Sequence, residues 1–406
     1  MEKTFQKILN IRLPIVILLL LTLLSLEGCG GKREVEQLAF IMGVGIDQGK
    51  EEGTYQVTFQ IAQPKTSSGS GSEMENWTLS VEVESIPVIA EKIDQMLNKH
   101  PFAGTSRIII LGEGLARSGI NEALDNFQRF YQFRRTIYLL LAKGEAKDIL
   151  ETQLRSKQLP ALSLLGTIVG QPAISTFPVT RLGHYLTILG RESQNPLIPT
   201  VQKIKPGDKG FEYSDEKGEE LQIEASGVFE DGKLIDFLSD EETKGYLWLD
   251  NEVKNRYIQA SEENGPKIAM WVHKSSTKYK VQSVDEKMGI TFQIKTTVSL
   301  NEIRGQQEAM DIKTWREFVR NLEPVVAKAI EKECQAAVTK SKELGLDFIG
   351  IGRKLEVKDP KYWRQVKDDW LSQLPDFPVS YDIQVTIEQT GLPRNSPVSP
   401  QKGAQE

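Results

Sequence analysis

The sequence is poor in the residues that do chemistry. Its 406 residues hold two cysteines, Cys29 and Cys334, and three histidines, His100, His184 and His273. Two cysteines exclude a disulfide framework and any thiolate zinc cluster needing three or four ligands. The histidines are scattered, and His184 and His273 are isolated from acidic or nucleophilic partners, which thins the choice of general bases. A basic excess is missing too: 50 Lys and Arg stand against 56 Asp and Glu, a formal net charge of −6. Nucleic-acid binders show the opposite balance, so nucleic acid is not an expected partner. HExxH, GxSxG and paired CxxC signatures do not occur. No metal, cofactor or catalytic residue is expected.

Two glycine patterns look like nucleotide sites and fail on spacing or context. Gly43, Gly45 and Gly49 follow a strand, but the interval is one residue too long for a dinucleotide fingerprint. A charged turn and another strand come next, where a helix would have to bind pyrophosphate. Close strand packing is the expected role of these glycines. Gly227, Gly232 and Lys233 imitate a P-loop, but Leu234 stands where Ser or Thr must ligate magnesium. The Asp231-Gly232 pair reads instead as a hairpin turn.

Long apolar runs are also scarce, with one exception near the N-terminus. Lys3, Lys7 and Arg12 precede Leu13 to Leu26 (LPIVILLLLTLLSL). As a helix this run would rise about 21 Å, short of a hydrocarbon core of about 30 Å. It fits the h-region of a signal peptide. Leu26-Glu27-Gly28-Cys29 follows and resembles a bacterial lipobox: Leu three before Cys, Gly one before, Cys first in the mature chain. Glu27 departs from the usual small or apolar middle residue. By that resemblance Cys29 is the lipid attachment site, carrying a diacylglyceryl group. Two acyl chains anchor stably where one holds only marginally. Cys334 has a different expected role. It borders an apolar stripe of helical spacing, Leu322, Val326, Ile330 and Ala337 among it, and reads as a buried core residue.

Periodicity divides the rest. Residues 1–28 are the signal peptide, and 29–37 the lipidated Cys and tether. An N-terminal α/β domain is expected over 38–205, as one domain or two subdomains, then a linker at 206–220 rich in Pro, Gly and charge. A C-terminal α/β domain covers 221–392, and 393–406 form a disordered tail. In the first half, strands at 38–47, 54–63, 77–85, 107–111 and 135–143 alternate with helices at 86–98, 115–133 and 145–154. That alternation predicts a partly parallel sheet. In the second half, short strands at 223–229, 234–238, 267–273, 278–284 and 289–299 precede a helix over 312–344, broken or restarted at Pro324. A helix at 361–372 and a strand at 379–389 end the body. Arg129, Arg134 and Arg135 beside Phe130, Tyr131 and Phe133 read either as a contact face or as a solvated helix end.

Several segments together resemble the Ger(x)C family of spore germination lipoproteins, the C subunits of nutrient germinant receptors. They are the lipobox Cys29, Leu38 to Asp47 with its GVGID, Gln60 to Pro64 (QIAQP) and the Ser/Gly loop after it. Gly227 to Leu249 (GVFEDGKLIDFLSDEETKGYLWL) is the most specific stretch. Asp347 to Arg353 (DFIGIGR), Trp363, Trp370 and the terminal strand complete the likeness. The resemblance implies mixed sheets flanked by helices in several subdomains, and a non-enzymatic subunit without cofactor. It implies multi-span A and B receptor subunits as partners, at the outer face of the spore inner membrane. The alternative is a solute-binding lipoprotein of a membrane transporter, which should show two similar lobes around a cleft.

Overall fold

Unbroken apolar runs form the centre of the first sheet. Ile108, Ile109, Ile110 and Leu111 are each 0% exposed, as in a strand covered on both faces. The computed structural model describes residues 34–388 apart from 65–73, 130–131, 171–173, 206, 209–217, 262–265, 285–286 and 305–311. The signal segment, Cys29, most of the Ser/Gly loop and the tail 393–406 lie outside the described residues.

The first half contributes β1 (Leu38–Gln48), β2 (Tyr55–Pro64), β3 (Met74–Val83), α1 (Ile89–Met96) and β4 (His100–Phe102). β5 (Ile108–Leu111), α2 (Glu113–Ser118), α3 (Asn121–Arg129), β6 (Tyr138–Ala142) and α4 (Ala146–Leu150) follow. Then come α5 (Pro160–Gly170), α6 (Leu182–Leu189), β7 (Leu197–Ile204), β8 (Glu220–Glu230) and β9 (Lys233–Leu238). These strands make one nine-stranded sheet, ordered β3-β2-β1-β5-β6-β7-β8-β9 with β4 beside β1. β1, β5, β6 and β7 run parallel in the middle, and the strands on either side are antiparallel. Leu115, Leu124, Phe127, Leu182 and Tyr185 cover one face, from α2, α3 and α6. Ile149, Leu150, Ala161, Leu164 and Ile168 cover the other, from α4 and α5.

One expectation is corrected here. The helix expected over 115–133 is two helices, because Gly119 adopts φ +132° after α2 and breaks it. The expected linker 206–220 joins two neighbouring strands of one sheet, with Ile204 opposite Glu220. Residues 221–238 therefore pair with the first sheet as β8 and β9. Asp231 and Gly232, at φ 49° and 81°, turn β8 into β9, as the D-G pair predicts.

The second sheet is ordered β10 (Arg256–Ser261), β11 (Lys267–Val284), β12 (Lys287–Arg304) and β13 (Val379–Glu388). The strands expected at 267–273 and 278–284 are one 18-residue strand, bulged between Val272 and Lys274. α7 (Asp240–Leu249) and α8 (Ile312–Leu344) pack on this sheet, and α8 crosses over to bring β13 parallel to β12. α8 runs through Pro324 without a break. Burial of Val319, Leu322, Val326 and Ile330 around it outweighs the lost hydrogen bond and ring clash, about 3 kcal/mol. α9 (Ile351–Lys358), α10 (Pro360–Val366) and α11 (Trp370–Gln373) close the unit.

Candidate functional site: the polar clasps that join helices to sheets and unit to unit

The GVGID stretch of β1 is where α4 and α5 dock. A Cβ on Gly43 would lie 2.7 Å from the Ala161 Cβ, and one on Gly45 3.2 Å from the Ala146 Cβ. Only glycine admits that approach, so these glycines serve packing. Asp47, 4% exposed, then accepts hydrogen bonds from the Ala146 N–H at 2.7 Å and the Lys147 N–H at 2.9 Å, at the start of α4. Burial raises its carboxyl to about 6, while the two amides pull the other way. Gln60 of QIAQP acts between the same helices. Its Nε2 donates to the Leu150 carbonyl at 2.8 Å, and its Oε1 accepts from the Ala161 N–H at 2.9 Å.

The DFIGIGR stretch ties the second unit to the first. Asp347 is fully buried and accepts from Ile351 N–H at 2.9 Å, Gly352 N–H at 2.6 Å and Trp370 Nε1–H at 3.0 Å. Burial raises its pKa against those donors. Its backbone exchanges two hydrogen bonds with Asn195, just ahead of β7. The Arg353 N–H donates to the Ser193 carbonyl at 3.1 Å. Gly350, at φ +71°, and Gly352 leave room for this segment, since a Cβ would meet Gln194 or Trp370 within 3 Å.

Between α7 and α8 the approach is closer still. A Cβ on Gly245 would fall 1.9 Å from the Glu333 carbonyl oxygen. The Glu333 carboxylate accepts from Trp248 Nε1–H at 2.8 Å and pairs with Arg256 at 2.6 Å. Arg256 is 2% exposed. Cys334 beside it is fully buried, as its stripe predicts, and burial pushes its thiol pKa well up. The capping box of α7, Ser239 with Glu242, starts this helix from the sequence itself.

The junction of the units encloses a cavity of about 10 Å³, lined by Tyr185, Asn195, Tyr246, Glu252 and Phe348 among others. That is room for about one water. Burial and the neighbouring Asp250 raise Glu252 to about 7. Chemically, Asp47, Gln60, Glu333 and Asp347 are taken up in capping helices and joining elements. Among the described residues no cluster of three His, Cys, Asp or Glu could hold a metal, and no helix is long and apolar enough to cross a membrane. In the Arg129 cluster, Arg129 is paired with Asp125 at 2.7 Å, and Phe133 stacks edge-on against Phe127. Asp47, Gln60, Asn195, Arg256, Glu333 and Asp347 do not stand out as functional positions in the sequence. Each lies in a mixed polar and apolar stretch, and its partner is about 75 or more residues away or on another element.

Comparison with known proteins gives a consistent answer. Residues 31–203 match the profile of the spore germination protein N-terminal domain, and residues 224–391 that of the spore germination B3/GerAC-like C-terminal domain. Spore germination protein KC of Bacillus subtilis (strain 168) is 25% identical over 403 residues, covering 95% of this chain and 98% of the relative. Spore germination protein B3 of the same organism is 26% identical over 380 residues, covering 91% and 96%. The crystal structure of the GerBC protein shares the fold, with a TM-score of 0.54 at 22% identity, over 87% of this chain and 99% of that one.

Proposed function

The chain belongs to the GerAC-like family of spore germination proteins, and from that membership we propose that it is the lipid-anchored, non-enzymatic C subunit of a spore nutrient germinant receptor. The observation that carries this reading is the family match, which begins at residue 31, two residues after Cys29, and runs to 391. In this reading the first 28 residues are removed and Cys29 bears the lipid. The body is held at the outer face of the spore inner membrane, where it docks on multi-span A and B subunits. Anchoring raises the effective concentration of the docking surfaces without new contacts. The clasps described above support a scaffolding role, because they keep the two units in one arrangement for such docking.

A solute-binding lipoprotein would need two similar lobes and a pocket of roughly 300–1,000 Å³. Here the units are built on sheets of nine and four strands, so the lobes are unlike, and the junction between them encloses only about 10 Å³; a larger open groove of about 930 Å³, beside Trp77, Leu150 and Arg155, lies within the first unit and not between two lobes. The test is Cys29→Ala in the native chain. The expected outcome is loss of receptor assembly and of the nutrient response; normal germination with an intact receptor would overturn the anchored reading.

A further inference from the structure

The second sheet has two unlike faces. Met270, Val272, Phe292, Ile294 and Val298 are each 0% exposed in the core shared with α8. Their neighbours along each strand point the opposite way. On that opposite face the register sets Tyr257 beside Trp271, Trp271 beside Ser299, Lys274 beside Thr297 and Ser276 beside Lys295. Lys278 and Lys280 continue on the same side of β11, opposite Gln293 and Thr291. The bulge between Val272 and Lys274 shifts the alternation by one residue and keeps these lysines outward.

Lys274, Lys278, Lys280 and Lys295 are all exposed. None of the four is ion-paired with a described residue. Lys295 is the diagonal neighbour of both Lys274 and Lys278, which places their Cβ atoms about 7–8 Å apart. Among the described residues Asp382 and Glu388 of β13 and Glu302 of β12 are the acidic residues on this face; Asp382 already accepts from Gln293 at 2.9 Å, and Glu302 is paired with Arg304 at 2.5 Å. In a chain of net charge −6 this is a local reversal of sign. At the other end of the face, Tyr257 is 57% exposed and its ring meets Trp271 edge-on at 4.7 Å.

Unpaired lysines beside an exposed Tyr–Trp pair on an open sheet face match the chemistry of a bilayer interface. Anionic headgroups attract the cations, and amphipathic rings settle at headgroup depth. An acidic protein segment would satisfy the lysines but not the aromatic pair. We propose that this face docks on anionic phospholipid headgroups, orienting the second unit on the membrane. The proposal rests on the anchored reading only for how the face is brought near a bilayer.

The test is lysine acylation of the full processed chain, read by mass spectrometry after flotation with two kinds of vesicle. One kind is phosphatidylcholine alone and the other contains phosphatidylglycerol. On anionic vesicles Lys274, Lys278, Lys280 and Lys295 should react about fivefold more slowly or less, the factor one lysine near an anionic surface is worth. Salt should restore their reactivity, and Lys328, exposed on α8, should not change. Replacing Lys274 and Lys295 with Gln should shrink the protection of Lys278 and Lys280 without lowering Tm. Flotation with anionic vesicles alone, with the four protected, supports the face and refutes the anchor. Flotation with both and equal labelling on both overturns the face and keeps the anchor, leaving an acidic protein as its occupant. Flotation with neither overturns both.

Discussion

Asn195 and Asp347 exchange two hydrogen bonds across the junction of the units. The Asn195 N–H donates to the Asp347 carbonyl at 2.9 Å, and the Asp347 N–H donates to Asn195 Oδ1 at 2.9 Å. The Asp347 carboxylate meanwhile holds three donors of its own unit. One residue therefore fixes both the start of α9 and its contact with the first sheet. Asn195→Ala takes the side-chain partner from the Asp347 N–H and from the Phe229 carbonyl and should cost about 1–3 kcal/mol. Asp347→Ala strands three donors and should cost more. Urea unfolding checks the order, and Asp347→Ala should also speed proteolysis near residues 190–196, which the Asp347 segment holds. Equal costs for the two would contradict the account.

Gly245 is where α7 and α8 touch backbone to backbone. A methyl group there has no flexible neighbour to displace, because the nearest atom is the Glu333 carbonyl oxygen. Gly245→Ala usually favours an exposed helix, by about 1 kcal/mol. Here overpacking should reverse the sign and destabilise by about 1–3 kcal/mol or more. Thermal unfolding with near-ultraviolet dichroism, sensitive to buried Trp248, reads both the stability and the repacking.

Glu333 satisfies two buried groups, Arg256 and Trp248 Nε1–H. Removing it by Glu333→Ala leaves a cation in the core and should cost about 3–5 kcal/mol. The paired change Arg256→Met with Glu333→Leu removes the charge as well and should recover most of that loss. A double-mutant cycle by chemical denaturation gives the coupling. A paired variant as unstable as Glu333→Ala would mean that shape, not charge, dominates.

Glu252 gives a pH dependence with a definite sign. Its carboxyl moves from 4.5 to about 7 on folding, first through burial and then through Asp250. Between those values the folded chain binds the proton more tightly than the unfolded chain does. Its contribution is therefore most favourable below about pH 4.5 and is lost as pH rises to about 7. Asp47 shifts in the same direction at lower pH, from 3.8 to about 6. The measurement is thus a difference: the urea midpoint of the native chain minus that of Glu252→Gln, from pH 5 to 8. That difference should fall as pH rises and level off above about pH 7; a flat difference would remove Glu252 from the junction's titration.

Sequence patterning exposes this architecture unevenly. β5 and β6 announce themselves as unbroken apolar runs, and the D-G pair between β8 and β9 names its own turn. Gly119 and the bulge after Val272 are single-residue events inside regular patterns, so the periodicities of α2–α3 and β11 run past them. The membership of β8 and β9 in the first sheet depends on pairing with β7 across a charged stretch, and no local signal encodes it. The clasps are harder still. Asp47 and Asp347 sit in motifs that mark the family, but their role emerges only when distant amides arrive beside them.

The two cysteines give a direct test of the modification in the proposed function. Cys334 is 0% exposed, and burial raises its thiol pKa, so a thiol reagent should not reach it in the native chain. Denaturation frees it. A Cys29 sulfur held in a thioether stays silent even then. Protein taken from spore membranes should therefore titrate no thiol when native and one after denaturation. An unmodified Cys29 would add a second. The Cys334→Ala variant sharpens the count, because the denatured chain should then show none if Cys29 carries its lipid and one if it does not. Two thiols in the denatured native-sequence chain would rule out lipidation at Cys29, whatever the germination phenotype of Cys29→Ala.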